Sequence, residues 1–176
     1  MEGCPVSLLS RIFGKPVDDL AHVRPLWQGI VEAAREPKWY AEHGVSDTVP
    51  GRFDAVTLVL SLVMLRMERD EALIEPSVRL TELFVEDMDG QLRQSGVGDL
   101  VVGKRMGKLM SVLGGRLGAL REALPQGQAA VAEVVARNVT LNEGVDGAGV
   151  AAEAVTLARH LDTLSREDVL AGAIRL

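Results

Sequence analysis

Apolar residues run almost without a break from Ala55 to Leu65, where only Thr57 and Ser61 interrupt them. Leu58, Leu62 and Leu65 share one helical face while Val56, Leu60 and Val63 occupy others, and a helix apolar on every side is buried on every side. Asp54 and Arg66 bound the run, so it falls short of the ~18 to 20 uncharged residues that cross a bilayer. The pattern predicts a central helix with Leu58 and Leu62 fully buried.

Shorter amphipathic patterns flank it. Asp18 or Asp19 can start a helix after Pro16, Pro25 breaks it or begins the next, and Leu26, Ile30, Val31 and Ala34 form an apolar stripe. Pro37 suits the first turn of a short helix through Trp39, Tyr40 and Glu42 that Gly44 can close. Val45 to Pro50 is expected as loop, with Asp47 or Thr48 as a cap, and Pro50 and Gly51 as punctuation. Arg52 and Asp54 then place opposite charges at the mouth of the apolar helix, where both need partners. They are expected to be tied into the loops carrying Asp47 and Asp99 by charge-assisted hydrogen bonds.

After Arg69 a connection leads to a helix near Pro76 with Leu80, Leu83, Phe84, Met88 and Leu92 at spacings of three and four. Gly96 and Gly98 end it, and Asp99 is placed to cap the next helix. That helix carries Val102, Met106, Leu109, Met110, Leu113, Leu117 and Leu120 on one side, with Lys104, Arg105, Lys108 and Arg116 turned elsewhere. Gly103, Gly107, Gly114, Gly115 and Gly118 are costly there, at about 1 kcal/mol each relative to Ala. Either the helix packs closely on a neighbour, or it offers an approachable surface beside a basic rim. Further helices are predicted over 128–141 and 150–164, separated by a Gly/Asn/Asp-rich loop, and Ser165 with Asp168 forms a capping-box pattern for a last short helix. The expected architecture is one all-α domain of about six to eight helices around the central one. It spans residues 16–176, with residues 1–15 as a loosely docked segment.

Composition narrows the function. The 176 residues suit one domain with a proper core, and 47% hydrophobic against 3% aromatic residues makes that core aliphatic. A net charge of −6 argues against a general or sequence-specific nucleic-acid binder, while leaving room for a local basic patch. Cys4 stands alone, so no intrachain disulfide forms, and the N-terminus lacks the basic and apolar regions of a signal peptide. Glu86, Asp87 and Asp89 have no histidine nearby and suit a solvated helix face better than a metal or acid-base site. His160 has no second ligand at metal spacing. GVGDLVVGK lacks the GxxxxGK[ST] spacing and a preceding strand, so it is not a phosphate loop. No catalytic residue, metal or cofactor is expected, which favours a binding protein.

WYAEHGVSDTVPGRFD at 39–54, followed by an apolar helix ending in Arg66, and EDMDGQLRQSGVGDLVVGKRMGK at 86–108, with Gly115 and Arg116 beyond, resemble the ubiquinol-cytochrome c chaperone family. These blocks lie within 34–120. Val59, Gly114 and Leu120 depart from the family pattern, which commonly has His at the first position and aromatic residues at the other two. The resemblance implies a non-enzymatic assembly factor for ubiquinol-cytochrome c reductase that engages newly made cytochrome b or another subunit, with a small partner protein. It places the protein in the cytoplasm, peripheral to the inner face of the membrane. The alternative is a helical scaffold at the membrane surface with no dedicated cytochrome client. The candidate contact residues are Trp39, Tyr40, Arg52, Lys104, Arg105, Lys108 and Arg116, the four from α-helical positions 104–116 forming a basic patch for the ribosome or an anionic membrane. Asp47, Gly51, Asp54, Gly96, Gly98 and Asp99 are expected to hold the two blocks together.

Overall fold

The computed structural model describes residues 20–94, 96 and 99–176, with the backbone alone at Asp99 and Leu100. Eight α-helices appear among them: α1 Arg24–Ala34, α2 Pro37–Ala41, α3 Val49–Met67, α4 Ile74–Gln94, α5 Asp99–Ala123, α6 Gln128–Asn138, α7 Ala148–Thr163 and α8 Arg166–Leu170. Among the described residues the only extended pairing is a single bridge between Val45 and Leu141. The domain is all-α, as the periodicity predicts. The segment 1–15 lies outside the described residues.

The long apolar helix occupies the middle because it has no polar face to show to water. Leu58, Val59, Leu60, Leu62 and Val63 are each no more than 2% exposed, and α3 packs against α1, α5 and α7. Its two polar interruptions are satisfied locally: Ser61 Oγ donates to the Thr57 carbonyl at 2.7 Å, and Thr57 Oγ1 donates to the Phe53 carbonyl at 3.0 Å. A buried hydroxyl without such a partner costs about 1 to 3 kcal/mol.

Several element bounds differ from the periodicity. α3 starts at Val49, where Thr48 Oγ1 accepts from Gly51 N–H at 3.3 Å and Pro50 sits in the first turn, so this part of the expected loop is already helix. Thr48 therefore caps, and Asp47 is left free for another role. α6 ends at Asn138, where Val139 turns to extended backbone and Leu141 pairs with Val45 instead of continuing the helix. There Ser46 N–H donates to the Thr140 carbonyl at 2.9 Å, and Asn142 N–H to the Gly44 carbonyl at 2.8 Å. The loop ahead of α3 and the segment after α6 are thus stitched together.

The last third of the chain supplies core. Val131, Val135, Val150, Ala154, Leu157 and Leu161 are buried, with α7 lying on both α6 and α3. The C-terminal turn is held against α1 at a contact where only glycine fits: a Cβ on Gly29 would lie 2.4 Å from the Gly172 carbonyl oxygen, and Gly172 itself has φ of 76°.

Candidate functional site

The residues singled out by sequence separate into two groups in the structure, a buried polar node and an open basic helix face.

The node is built on Asp54, in the first turns of α3. Its Oδ2 accepts from Thr140 N–H at 2.9 Å and from Thr140 Oγ1 at 2.7 Å, and its Oδ1 accepts from Arg116 Nη2 at 2.9 Å. Arg116 also donates through Nη1 to the Asp54 carbonyl at 2.9 Å and to Thr57 Oγ1, and through Nη2 to the Asn138 carbonyl. One guanidinium therefore ties α5 to α3 and to the end of α6. The planar fork of arginine permits this, and a lysine point charge would not reproduce it. The Arg116 side chain is only 2% exposed and the Asp54 side chain 14%, and Arg116 Nε has no hydrogen-bond partner. The expectation that Arg116 belongs to an exposed basic patch is corrected. Its spacing from Leu113 and Leu120 places it on the buried stripe of α5, and the carboxylate of Asp54 provides its compensation.

Gly51 supports the same corner. A Cβ there would lie 1.9 Å from the Ser46 carbonyl oxygen, so the helix start can approach the preceding loop only without a side chain. Arg52 meets Asp47 at 2.6 Å, both more than half exposed. The hydrogen bond from Arg52 holds the Asp47 carboxyl below its usual range, and Asp47 in turn raises Arg52. The expected partnership with Asp47 is present for Arg52, whereas the described partners of Asp54 are Arg116 and Thr140. Gly98 and the side chain of Asp99 lie outside the described residues, so the expected tie to Asp99 has no counterpart among them. Gly96 has φ of 79° and follows the end of α4, the backbone conformation that favours glycine at a helix terminus.

Trp39 is also corrected as a contact residue. It is 1% exposed, with Nε1 donating to the Ala33 carbonyl at 2.8 Å, so it anchors α2 to the end of α1. Tyr40 is half-buried and its hydroxyl donates to the Ala34 carbonyl at 2.7 Å. Tyr40 thereby satisfies a carbonyl at the C-terminus of α1, while Trp39 adds a second donor to the Ala33 carbonyl, which also accepts from Glu36 N–H.

The second group lies on α5. Lys104, Arg105 and Lys108 are exposed. Among the described residues no carboxylate pairs with them. Four of the α4 acids are engaged along their own helix: Arg79 binds Glu75 and Glu82, Arg93 binds Asp89 at 2.6 Å, and Asp87 accepts from Gln91. Farther along α5, Arg121 is held by Glu68 at 2.7 Å. The glycines do not mediate close packing of α5. A Cβ built on Gly103, Gly107, Gly114, Gly115 or Gly118 meets nothing within 4 Å, which leaves the approachable face as the better description.

Thr57, Asn138 and Thr140 belong to the node but were not singled out by sequence. Thr57 had a signal, being a polar residue in an otherwise apolar buried run; the two residues near 140 had none. Among the described residues no helix is long and apolar enough to cross a membrane, and no three His, Cys, Asp or Glu residues are grouped to hold a metal.

Comparison with known proteins places this architecture. The family model described as ubiquinol-cytochrome C chaperone matches residues 41–176. The crystal structure of the Cbp3 homolog from Brucella abortus is similar at 33% identity, with a TM-score of 0.75 and 88% of each chain covered. Among curated proteins, none matches. The match embraces α3 through α8, including both ends of the Asp54–Arg116 node, and the chain belongs to the ubiquinol-cytochrome c chaperone family.

Proposed function

We propose that this chain is a non-enzymatic chaperone for assembly of ubiquinol-cytochrome c reductase, acting at the cytoplasmic side of the membrane with newly made cytochrome b as its client. The observation that carries this proposal is the likeness to the Cbp3 homolog over 88% of both chains at 33% identity. The node adds a physical reason for the motif residues: Gly51, Asp54 and Arg116 fix the frame, so they are required for the chaperone to exist and need not touch the client.

Contact with an apolar client must then come from apolar side chains that the fold leaves in water. On α4, Ile74 and Val78 sit one turn apart and are 52% and 53% exposed. They are better candidates than the buried Trp39. A small partner protein would supply further surface, since two isolated aliphatic residues make a modest patch by themselves.

The test is affinity recovery of the tagged chain from detergent-solubilised membranes, with cytochrome b quantified against other membrane proteins. Selective enrichment of cytochrome b is expected, reduced in an Ile74→Asp, Val78→Asp variant that remains folded. Even recovery of unrelated membrane proteins would instead support a general scaffold at the membrane surface.

A further inference from the structure

From Leu100 to Arg121 the chain contains no Asp or Glu, in a protein whose net charge is −6. Of the five cations in that stretch, Arg116 is buried against Asp54 and Arg121 is held by Glu68. Lys104, Arg105 and Lys108 remain, exposed and without carboxylate partners among the described residues. Lys104 and Lys108 are one turn apart, about 6 Å along the axis, and Arg105 flanks them. Val101, 47% exposed, lies one turn before Arg105. Between and beyond these residues, Gly103, Gly107, Gly114 and Gly115 leave the helix surface clear for 4 Å around each missing side chain. The basic positions therefore stand above a low, unobstructed backbone.

We propose that the outer face of the N-terminal half of α5 docks on an anionic lipid leaflet, orienting the chaperone on the membrane. This deepens the function proposed above and rests on it for its purpose. Charge complementarity carries the proposal: these are clustered cations without carboxylate partners among the described residues, on a chain whose net charge is −6, so this face is drawn towards a negatively charged plane while the chain as a whole is repelled by it. The low glycine backbone suits a flat surface, and Val101 gives the interfacial region an apolar side chain beside the cations.

RNA fits less well. Residues 99–123 contain no aromatic side chain on which an unpaired base could stack. The acidic remainder of the protein would also oppose wrapping by a flexible polyanion. Three cations near an anionic leaflet each strengthen attachment by about fivefold, so docking is weak and reversible, on the order of a hundredfold over a neutral surface. That strength suits a chaperone that must leave when its client has been assembled.

The experiment is sedimentation of the full chain with vesicles containing one-third phosphatidylglycerol, compared with pure phosphatidylcholine vesicles and with a single-stranded RNA. Binding is expected to phosphatidylglycerol vesicles only, weakening steeply between 50 and 300 mM salt as the Debye length contracts from about 14 to 6 Å. Lys104→Glu with Arg105→Glu is expected to lower vesicle binding by about 25-fold or more. Lys104→Gln with Lys108→Gln, also expected to lower it, decides the matter if the charge-reversed protein does not fold. Equal binding to both vesicle types, unchanged binding by the folded variants, or RNA binding that exceeds vesicle binding would overturn the proposal. Recovery of cytochrome b in detergent is read separately. Lost vesicle binding with normal recovery concerns the membrane face alone, whereas normal vesicle binding without cytochrome b concerns the client.

Discussion

Replacing Asp54 by Ala is the sharpest perturbation of the frame. The Arg116 side chain is 2% exposed, so Asp54→Ala leaves an uncompensated charge buried and also removes the acceptor for Thr140 N–H and Oγ1. Loss of one partner of a buried ion pair costs about 3 to 5 kcal/mol. For a domain of this size that lowers the melting temperature by about 10 °C. Removing the second charge as well should recover part of the loss, because the desolvation cost of Arg116 then disappears. The double variant Asp54→Ala, Arg116→Met, whose methionine follows the aliphatic stem of the arginine, is expected to be more stable than Asp54→Ala by about 1 kcal/mol or more. Urea unfolding of the wild type, both single variants and the double variant supplies the full cycle. A double variant whose loss is the plain sum of the two single losses would show that the residues do not act as a pair, and would refute the account of the node.

The two kinds of glycine should respond in opposite directions. Gly51→Ala must move a helix start away from the Ser46 carbonyl and is expected to cost about 1 to 3 kcal/mol, whereas Gly107→Ala enters open space within a helix and should stabilise by up to about 1 kcal/mol; denaturant midpoints for the pair check both signs. Acid should weaken the surface clamps. Asp47 and Asp70 are lowered by hydrogen bonds from Arg52 and Arg166, so their contribution is complete above the ordinary carboxylate value and is lost as pH falls through the depressed one. Arg52→Gln and Arg166→Gln should therefore flatten the fall in melting temperature below about pH 4; an unaltered pH profile would show that these pairs contribute nothing.

Much of the fold is legible in the chain because burial leaves a strong periodic signal. The run from Ala55 to Leu65 has no side on which it can meet water, and the structure accordingly surrounds it. The stripe on α4 through Leu80, Leu83 and Phe84 is equally direct. The candidate site is less legible for a specific reason: a charged residue in a helix pattern does not by itself reveal whether it is exposed. Arg116 lies in sequence beyond Lys104, Arg105 and Lys108, but its register with Leu113 and Leu120 points into the core. That signal was present in the spacing alone. Thr140, which binds the other oxygen of Asp54, carries none, since nothing local indicates that α6 will stop at Asn138 and cross back to the loop before α3. Trp39 shows the same limit, because its burial depends on the Ala33 carbonyl and on α2 folding back against α1.

The most direct test of the assembly role is the fate of cytochrome b in cells lacking this chain. Pulse-labelled cytochrome b and accumulated ubiquinol-cytochrome c reductase would be measured with the gene absent, restored, and restored as the Ile74→Asp, Val78→Asp variant. The account predicts that absence shortens the lifetime of newly made cytochrome b and depletes the reductase, that the wild-type chain restores both, and that the folded variant restores them poorly. Normal cytochrome b lifetime and normal reductase levels in the absence of the chain would contradict it.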